Sequence, residues 1–151
     1  MQFSCPEPID TERLAAKLAL ACPNGLVIYL QGDLGAGKST FARAFIHALG
    51  FQGSVKSPTY SLLEAYALTE GLQAVHMDLY RLAEPEEVAY LALDDYEKTA
   101  KVWLIEWPEN GLDYIPIADV LIRFMPQNNG RLIELQAVNA MAKAWLNTIS
   151  H

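Results

Sequence analysis

The stretch Gly32-Asp33-Leu34-Gly35-Ala36-Gly37-Lys38-Ser39 constrains this chain more than any other. It satisfies G-x-x-x-x-G-K-[ST], a loop whose glycines let successive backbone N–H groups turn inward on phosphate oxygens. Such a loop works only between a buried strand and a helix, and both flanks meet that demand. Leu26-Val27-Ile28-Tyr29-Leu30 is an apolar run suited to a strand buried on both faces. Phe41, Phe45, Ala48 and Leu49 then recur along one helical side until Gly50 ends the helix. The positive end of that helix, near Lys38, points at the same anion. Lys38 is expected to reach the β- and γ-phosphates, and the Ser39 hydroxyl to bind Mg²⁺.

The rest of the chain supplies elements for a sheet around this loop. Asp10 and Thr11 read as N-cap residues of a first helix, with Leu14, Ala15, Leu18 and Cys22 on one face and Pro23-Asn24-Gly25 as its stop. Residues 51–59 are polar, contain Gly53 and Pro58, and read as a loop. Strands are expected at 60–67 and 72–77, turning at Glu70-Gly71. A helix is expected from Pro85, with Glu86 and Glu87 in the first turn, where the dipole favours negative charge. Lys101 to Glu106 is a further strand. Residues 119–125 and 131–138 read as a hairpin joined by Pro126-Gln127-Asn128-Asn129-Gly130. Residues 139–149 close the chain as a helix with Met141, Trp145 and Ile149 on one face. This order predicts one α/β domain over residues 1–151: a P-loop nucleotide-binding fold with a mainly parallel central sheet, flanking antiparallel strands and helices on both faces.

Charge and composition narrow the partners. Eleven basic residues stand against eighteen acidic ones, a net charge of −7, and the basic residues are scattered singly. A chain that grips a phosphate backbone by itself carries a basic patch or stripe, so work on nucleic acid is expected to go through a partner. Cys5 and Cys22 have neither CxxC spacing nor a neighbouring histidine cluster and read as isolated thiols. The opening MQFSCPEPID lacks a basic n-region and an apolar h-region, and no apolar stretch is long enough to span a bilayer. The cytoplasm is the expected compartment, with no membrane partner.

P-loop enzymes need a second acid at the end of a hydrophobic strand to hold the metal. Glu106 closes Val102-Trp103-Leu104-Ile105, an uninterrupted apolar run, and fits the metal role better than Asp78, which closes Ala74-Val75-His76-Met77. Asp78 is then a candidate for orienting the attacking water or supporting the metal's outer shell. Thr59, in Ser57-Pro58-Thr59, lies where switch segments sit in other P-loop proteins, or is plain loop chemistry. Trp107 either covers the site or packs in the core. Arg81 either steadies charge on a transferring phosphoryl group or makes a structural ion pair, the commoner role of a lone arginine. His47 and His151 read as surface residues, and His76 as packed or hydrogen-bonded.

Four stretches, GDLGAGKST (32–40), VKSPTYSL (55–62), HMDLYRL (76–82) and VWLIEWPENG (102–111), resemble in order and spacing the TsaE family. That family comprises small bacterial ATPases of tRNA threonylcarbamoyladenosine biosynthesis. The resemblance implies a P-loop sheet with parallel central strands and ATP hydrolysis that is slow without the partners TsaB and TsaD. Those partners modify the adenosine beside the tRNA anticodon, so tRNA is met only through the complex. It further implies that Asp33, Leu34, Gly35, Ala36, Gly37, Lys38, Ser39 and Thr40 bind the phosphates of ATP or ADP. Ser39 and Glu106 would hold Mg²⁺, with Lys38, Asp78 and Glu106 serving the reaction and Trp107 a required neighbour. Thr59 would belong to a switch segment, and Thr11 and Arg131 would lie near the outer side of the nucleotide. The one departure is Ser39, where close relatives often carry Thr; either hydroxyl can bind Mg²⁺.

Other functions fit less well. A regulatory GTPase needs an N-K-x-D guanine reader and a D-x-x-G switch, and neither occurs. A small-molecule kinase needs an arginine-bearing lid and an acceptor pocket, for which this chain has few arginines and little length. A nucleotide-dependent adaptor without significant turnover needs the same loop and metal ligands as an ATPase, and the sequence does not separate the two.

Overall fold

The computed structural model describes residues 1–149; the surface position expected of His151 lies outside them. The strands are β1 (Gln2–Cys5), β2 (Leu26–Gln31), β3 (Leu63–Ala67), β4 (Gln73–Asp78), β5 (Ala100–Glu106), β6 (Val120–Gln127) and β7 (Gly130–Ala137). The α-helices are α1 (Pro8–Leu20), α2 (Lys38–Ala48) and α3 (Ala140–Asn147). One seven-stranded sheet runs β1-β7-β6-β2-β5-β4-β3. Its four inner strands, β6, β2, β5 and β4, are mutually parallel, while β1, β7 and β3 pair antiparallel at the flanks. The mixed α/β architecture expected from the sequence is the one observed.

The apolar run of β2 is the axis of the fold because both its faces are buried, as a parallel sheet covered on two sides requires. Leu26, Ile28 and Leu30 face a core shared with Leu14 and Leu18 of α1, Phe41 and Phe45 of α2, and Trp145 and Leu146 of α3. Val27 faces the opposite core, with Val75, Met77, Trp103 and Ile105. The two faces carry helices of unequal kind. All three α-helices contribute to the first core, and the second is covered by short 3₁₀ turns at 85–96 and 108–114.

Several boundaries differ from the sequence reading, each for a local reason. Helix α1 starts at Pro8, not at Asp10 or Thr11, because Glu7 and Asp10 form a reciprocal capping box and Pro8 fits the first helical turn. Strand β1 is an addition, created by its long-range pairing with β7. Residues 60–62 fall outside β3: Leu62 takes a left-handed φ of 67° and its N–H donates to the Pro58 carbonyl at 2.9 Å. The helix expected from Pro85 winds as 3₁₀ turns interrupted at Ala92, with Val88 its one fully buried residue, too little apolar contact to hold an α-helix. The hairpin strands run closer together than expected, leaving Asn128-Asn129 as the turn, with Asn128 left-handed at φ 52°. In α3 the buried stripe is Ala142, Trp145 and Leu146, while Met141 is exposed. Asn139 caps that helix by accepting from the Ala142 N–H at 2.9 Å. Among the described residues no helix is long and apolar enough to cross a membrane.

Candidate functional site

The parallel strands all end on one side of the molecule, the place where open α/β sheets bind ligands. The glycine loop leaves β2 there, Glu106 ends β5 and Asp78 ends β4. Register fixes their spacing: Leu30 of β2 stands opposite Glu106, and Glu106 opposite Asp78. Even-numbered positions of β4 and β5 face the α2 side, so His76, Asp78 and Glu106 share a face with the start of that helix. The first-turn amides of α2 have no intrahelical carbonyl four residues behind them. Glycine is required where neighbours crowd the loop. A Cβ on Gly32 would lie 2.8 Å from the Phe124 carbonyl oxygen, and one on Gly37 2.8 Å from Nε of Arg131. Both glycines also have positive φ, at 154° and 102°.

A cavity of about 380 Å³ opens at this point. Lys38 lies in it 4% exposed, its ammonium donating to the Gly32 carbonyl and resting 3.8 Å from the centre of the Trp107 ring. Burial pulls the ammonium below the ordinary lysine range, and the charges of Glu106 and then Asp78 act against that. The Ser39 hydroxyl stands 3.3 Å from each oxygen of Glu106. Glu106, 2% exposed, also meets Nε2 of His76 at 2.6 Å. Burial pushes the Asp78 carboxyl up, with Glu106 adding to the shift; the Tyr80 backbone N–H, donating at 3.1 Å, opposes it, as do His76 and Lys38.

Most of the expected site residues line this one cavity. Leu34, Gly35, Gly37, Lys38, Ser39 and Thr40 form its floor. Thr59, Asp78, Glu106, Trp107 and Arg131 form its walls. Arg131 lies across the loop and donates from Nη2 to the Gly35 carbonyl at 3.1 Å. Asp33 and Ala36 sit on the far side of the loop, where the Ala36 N–H donates to the Asp33 carbonyl at 3.0 Å; they border a smaller recess of about 240 Å³ with Met125 and Pro126. Thr11 is not brought to the cavity: it is 2% exposed, buried beside Cys5.

Open alternatives resolve in part. Trp107 stands in the cavity wall with a left-handed φ of 55°, its ring 5.0 Å from that of Tyr80. Arg81 also borders the cavity and is exposed, its guanidinium 5.1 Å from the centre of the exposed Tyr60 ring. His47 is exposed, and His76 is hydrogen-bonded. The sequence reading passed over Ser57 and Tyr80. Ser57 donates to Asp78 at 3.5 Å and accepts from the Thr59 hydroxyl at 3.3 Å, a signal already present in the Ser57-Pro58-Thr59 triplet.

Ser39 and Glu106 thus offer two hard oxygen donors side by side, with a second carboxylate, Asp78, close by. Among the described residues no cluster of three or more His, Cys, Asp and Glu side chains forms a metal cage. That pattern fits Mg²⁺, which takes one or two carboxylates and completes its shell with water and substrate phosphates.

Residues 5–133 match the family described as "Threonylcarbamoyl adenosine biosynthesis protein TsaE". The chain is 42% identical over 134 residues to a tRNA threonylcarbamoyladenosine biosynthesis protein TsaE of Haemophilus influenzae, covering 89% of this chain and 84% of the relative. It is 40% identical over 108 residues to the protein of the same name from Bacillus subtilis, covering 71% and 66%. Its structure resembles the crystal structure of Bacillus subtilis YdiB with a TM-score of 0.82 and 28% identity, over 99% of this chain and 93% of that one.

Proposed function

The chain belongs to the TsaE family of tRNA threonylcarbamoyladenosine biosynthesis proteins, and from that premise we propose that it is the ATP-binding and ATP-hydrolysing component of this modification machinery, acting with TsaB and TsaD. The observation that carries the reading is the convergence of the Lys38 ammonium, the Ser39 hydroxyl and the Glu106 carboxylate in one cavity at the sheet's carboxyl edge. On this reading the first-turn amides of α2 and Lys38 bind the phosphates of ATP, and the lysine trades the Trp107 ring and the Gly32 carbonyl for phosphate oxygens. Ser39 and Glu106 would hold Mg²⁺, which would supply positive charge against the phosphates. Asp78, with its carboxyl raised by burial, orients the attacking water. Water oxygen bonds to the γ-phosphorus, the bond from that phosphorus to the β-phosphate oxygen breaks, and the water's protons end on inorganic phosphate and solvent. Tyr80 and Trp107 limit solvent access, and the Ser57–Thr59 segment follows the state of the γ-phosphate through Asp78. The net charge of −7 and the scattered basic residues support contact with tRNA only through the partners.

Phosphate release from ATP and Mg²⁺, measured for the purified chain alone and then with TsaB and TsaD, tests this proposal. Slow release that the partners accelerate is expected. No acceleration, with nucleotide-dependent docking intact, would replace the ATPase reading with that of an adaptor.

A further inference from the structure

Glu106 has more suitors than a carboxylate can serve at once. The Ser39 hydroxyl stands 3.3 Å from both of its oxygens, and the Lys38 ammonium is buried in the same cavity. Between groups this buried, the attraction of a lysine for a glutamate is strong, and an ion pair would occupy the groups intended for phosphate and metal. Lys38 instead rests against the Trp107 ring and the Gly32 carbonyl. Glu106 is engaged instead by His76, whose Nε2 meets its Oε2 at 2.6 Å.

The histidine's setting suits that task. It is 1% exposed, two residues before Asp78 on the same face of β4, so a strand of the central sheet sets its distance from β5. Its second ring nitrogen, Nδ1, is buried and has no hydrogen-bond partner among the described residues. An ionised carboxylate only accepts, so the contact has Nε2–H of the ring donating to Glu106. Outer partners that donate to a metal-binding side chain fix its orientation, and their loss typically lowers metal affinity 10–100-fold.

We propose that His76 is a positioning residue that pins Oε2 of Glu106, leaving Oε1 beside the Ser39 hydroxyl for a divalent cation and keeping the carboxylate off Lys38. This rests on the reading of Ser39 and Glu106 as the Mg²⁺ ligands. His76→Leu keeps an apolar side chain in the buried slot and removes the donor, whereas His76→Gln restores an N–H near the position of Nε2.

The test is a magnesium titration of ADP binding followed by calorimetry, alongside ADP affinity in chelator and the melting temperature of each variant. For His76→Leu the magnesium concentration at half-effect should rise about tenfold, while metal-free ADP affinity stays within about twofold. His76→Gln should recover most of the difference. An unchanged magnesium midpoint in His76→Leu overturns the role of His76 while leaving the metal site standing. Equal losses with and without magnesium overturn it as well, since they mark a general packing defect. If His76→Leu does not fold, His76→Gln set against His76→Asn, whose amide is one carbon shorter, decides: equal magnesium midpoints for the two would overturn the proposal. Should the unaltered chain bind ADP with no dependence on magnesium, the metal reading itself fails and this role falls with it.

Discussion

Charged side chains gather in two places on this sheet, and their surroundings treat them in opposite ways. On the outer strands Arg123 of β6 donates to Glu134 of β7 at 3.1 Å, and Gln2 of β1 donates to the same carboxylate at 3.2 Å. These groups reach solvent, and the bonds from Gln2 and then Arg123 hold the Glu134 carboxyl below its ordinary range. At the carboxyl ends of β4 and β5, Lys38, His76, Asp78 and Glu106 are all buried. For Asp78 and Lys38 desolvation is the largest influence, lifting the first and lowering the second, so these two are pushed toward their neutral forms. The first arrangement tidies a sheet edge. The second keeps like and unlike charges together at a standing cost, which a fold tolerates where the groups have chemistry to perform.

The sharpest way to break this contrast is Lys38→Ala. Losing a buried charge partner of the phosphates should remove about 2–5 kcal/mol of binding, roughly 30- to 4,000-fold in ATP affinity by calorimetry. Next in size, Glu106→Ala should raise the magnesium needed for ATP binding by about 100-fold, above the loss of an outer partner, with metal-free affinity nearly unchanged; equal losses in both conditions would argue against a metal role.

Asp78→Asn sharpens the contrast through stability. The folded carboxyl titrates above its unfolded value, so between the two pKa values the folded chain keeps a proton that the unfolded chain has released. Stability therefore falls as pH rises through that window, and the deficit persists at neutral pH. The amide removes it: the variant should melt roughly 2–4 °C higher at pH 7.5, lose hydrolysis, and lose the thermal advantage below about pH 4, where the carboxyl is neutral in both states. A lower melting point at pH 7.5 would show that Asp78 is stabilising like Glu134. The smallest effect belongs to Arg123→Ala, which should shift melting by no more than about 1–2 °C and leave nucleotide affinity as it was.

The buried cluster was also the more legible of the two regions, up to a limit. The loop from Gly32 to Ser39, the strand before it and the helix after it follow from residue types alone, because glycine spacing and apolar runs are local signals. Glu106 and Asp78 could be named as strand ends for the same reason. Their company could not. The contact of Glu106 with His76, of Lys38 with Trp107, and of Ser57 with Asp78 each depends on the register of β4 against β5 or on loop paths that no short window encodes. Thr11 shows the same limit in reverse: the family pattern points to the nucleotide, while the capping box at Glu7 and Asp10 sets the helix so that Thr11 is buried against Cys5. Strand β1, with its antiparallel partner more than a hundred residues away in β7, left too short a pattern in Gln2-Phe3-Ser4-Cys5 to be seen.

The central claim is that the amides and ammonium at the start of α2 close around a triphosphate chain. Its most direct test is a thermal melt of the purified chain with and without saturating ATP and magnesium, since a ligand at 100 times its Kd adds about 2.7 kcal/mol to the folded state. A rise of several degrees, absent in Lys38→Ala, is the predicted result. An unmoved melting temperature for the unaltered chain would contradict the account.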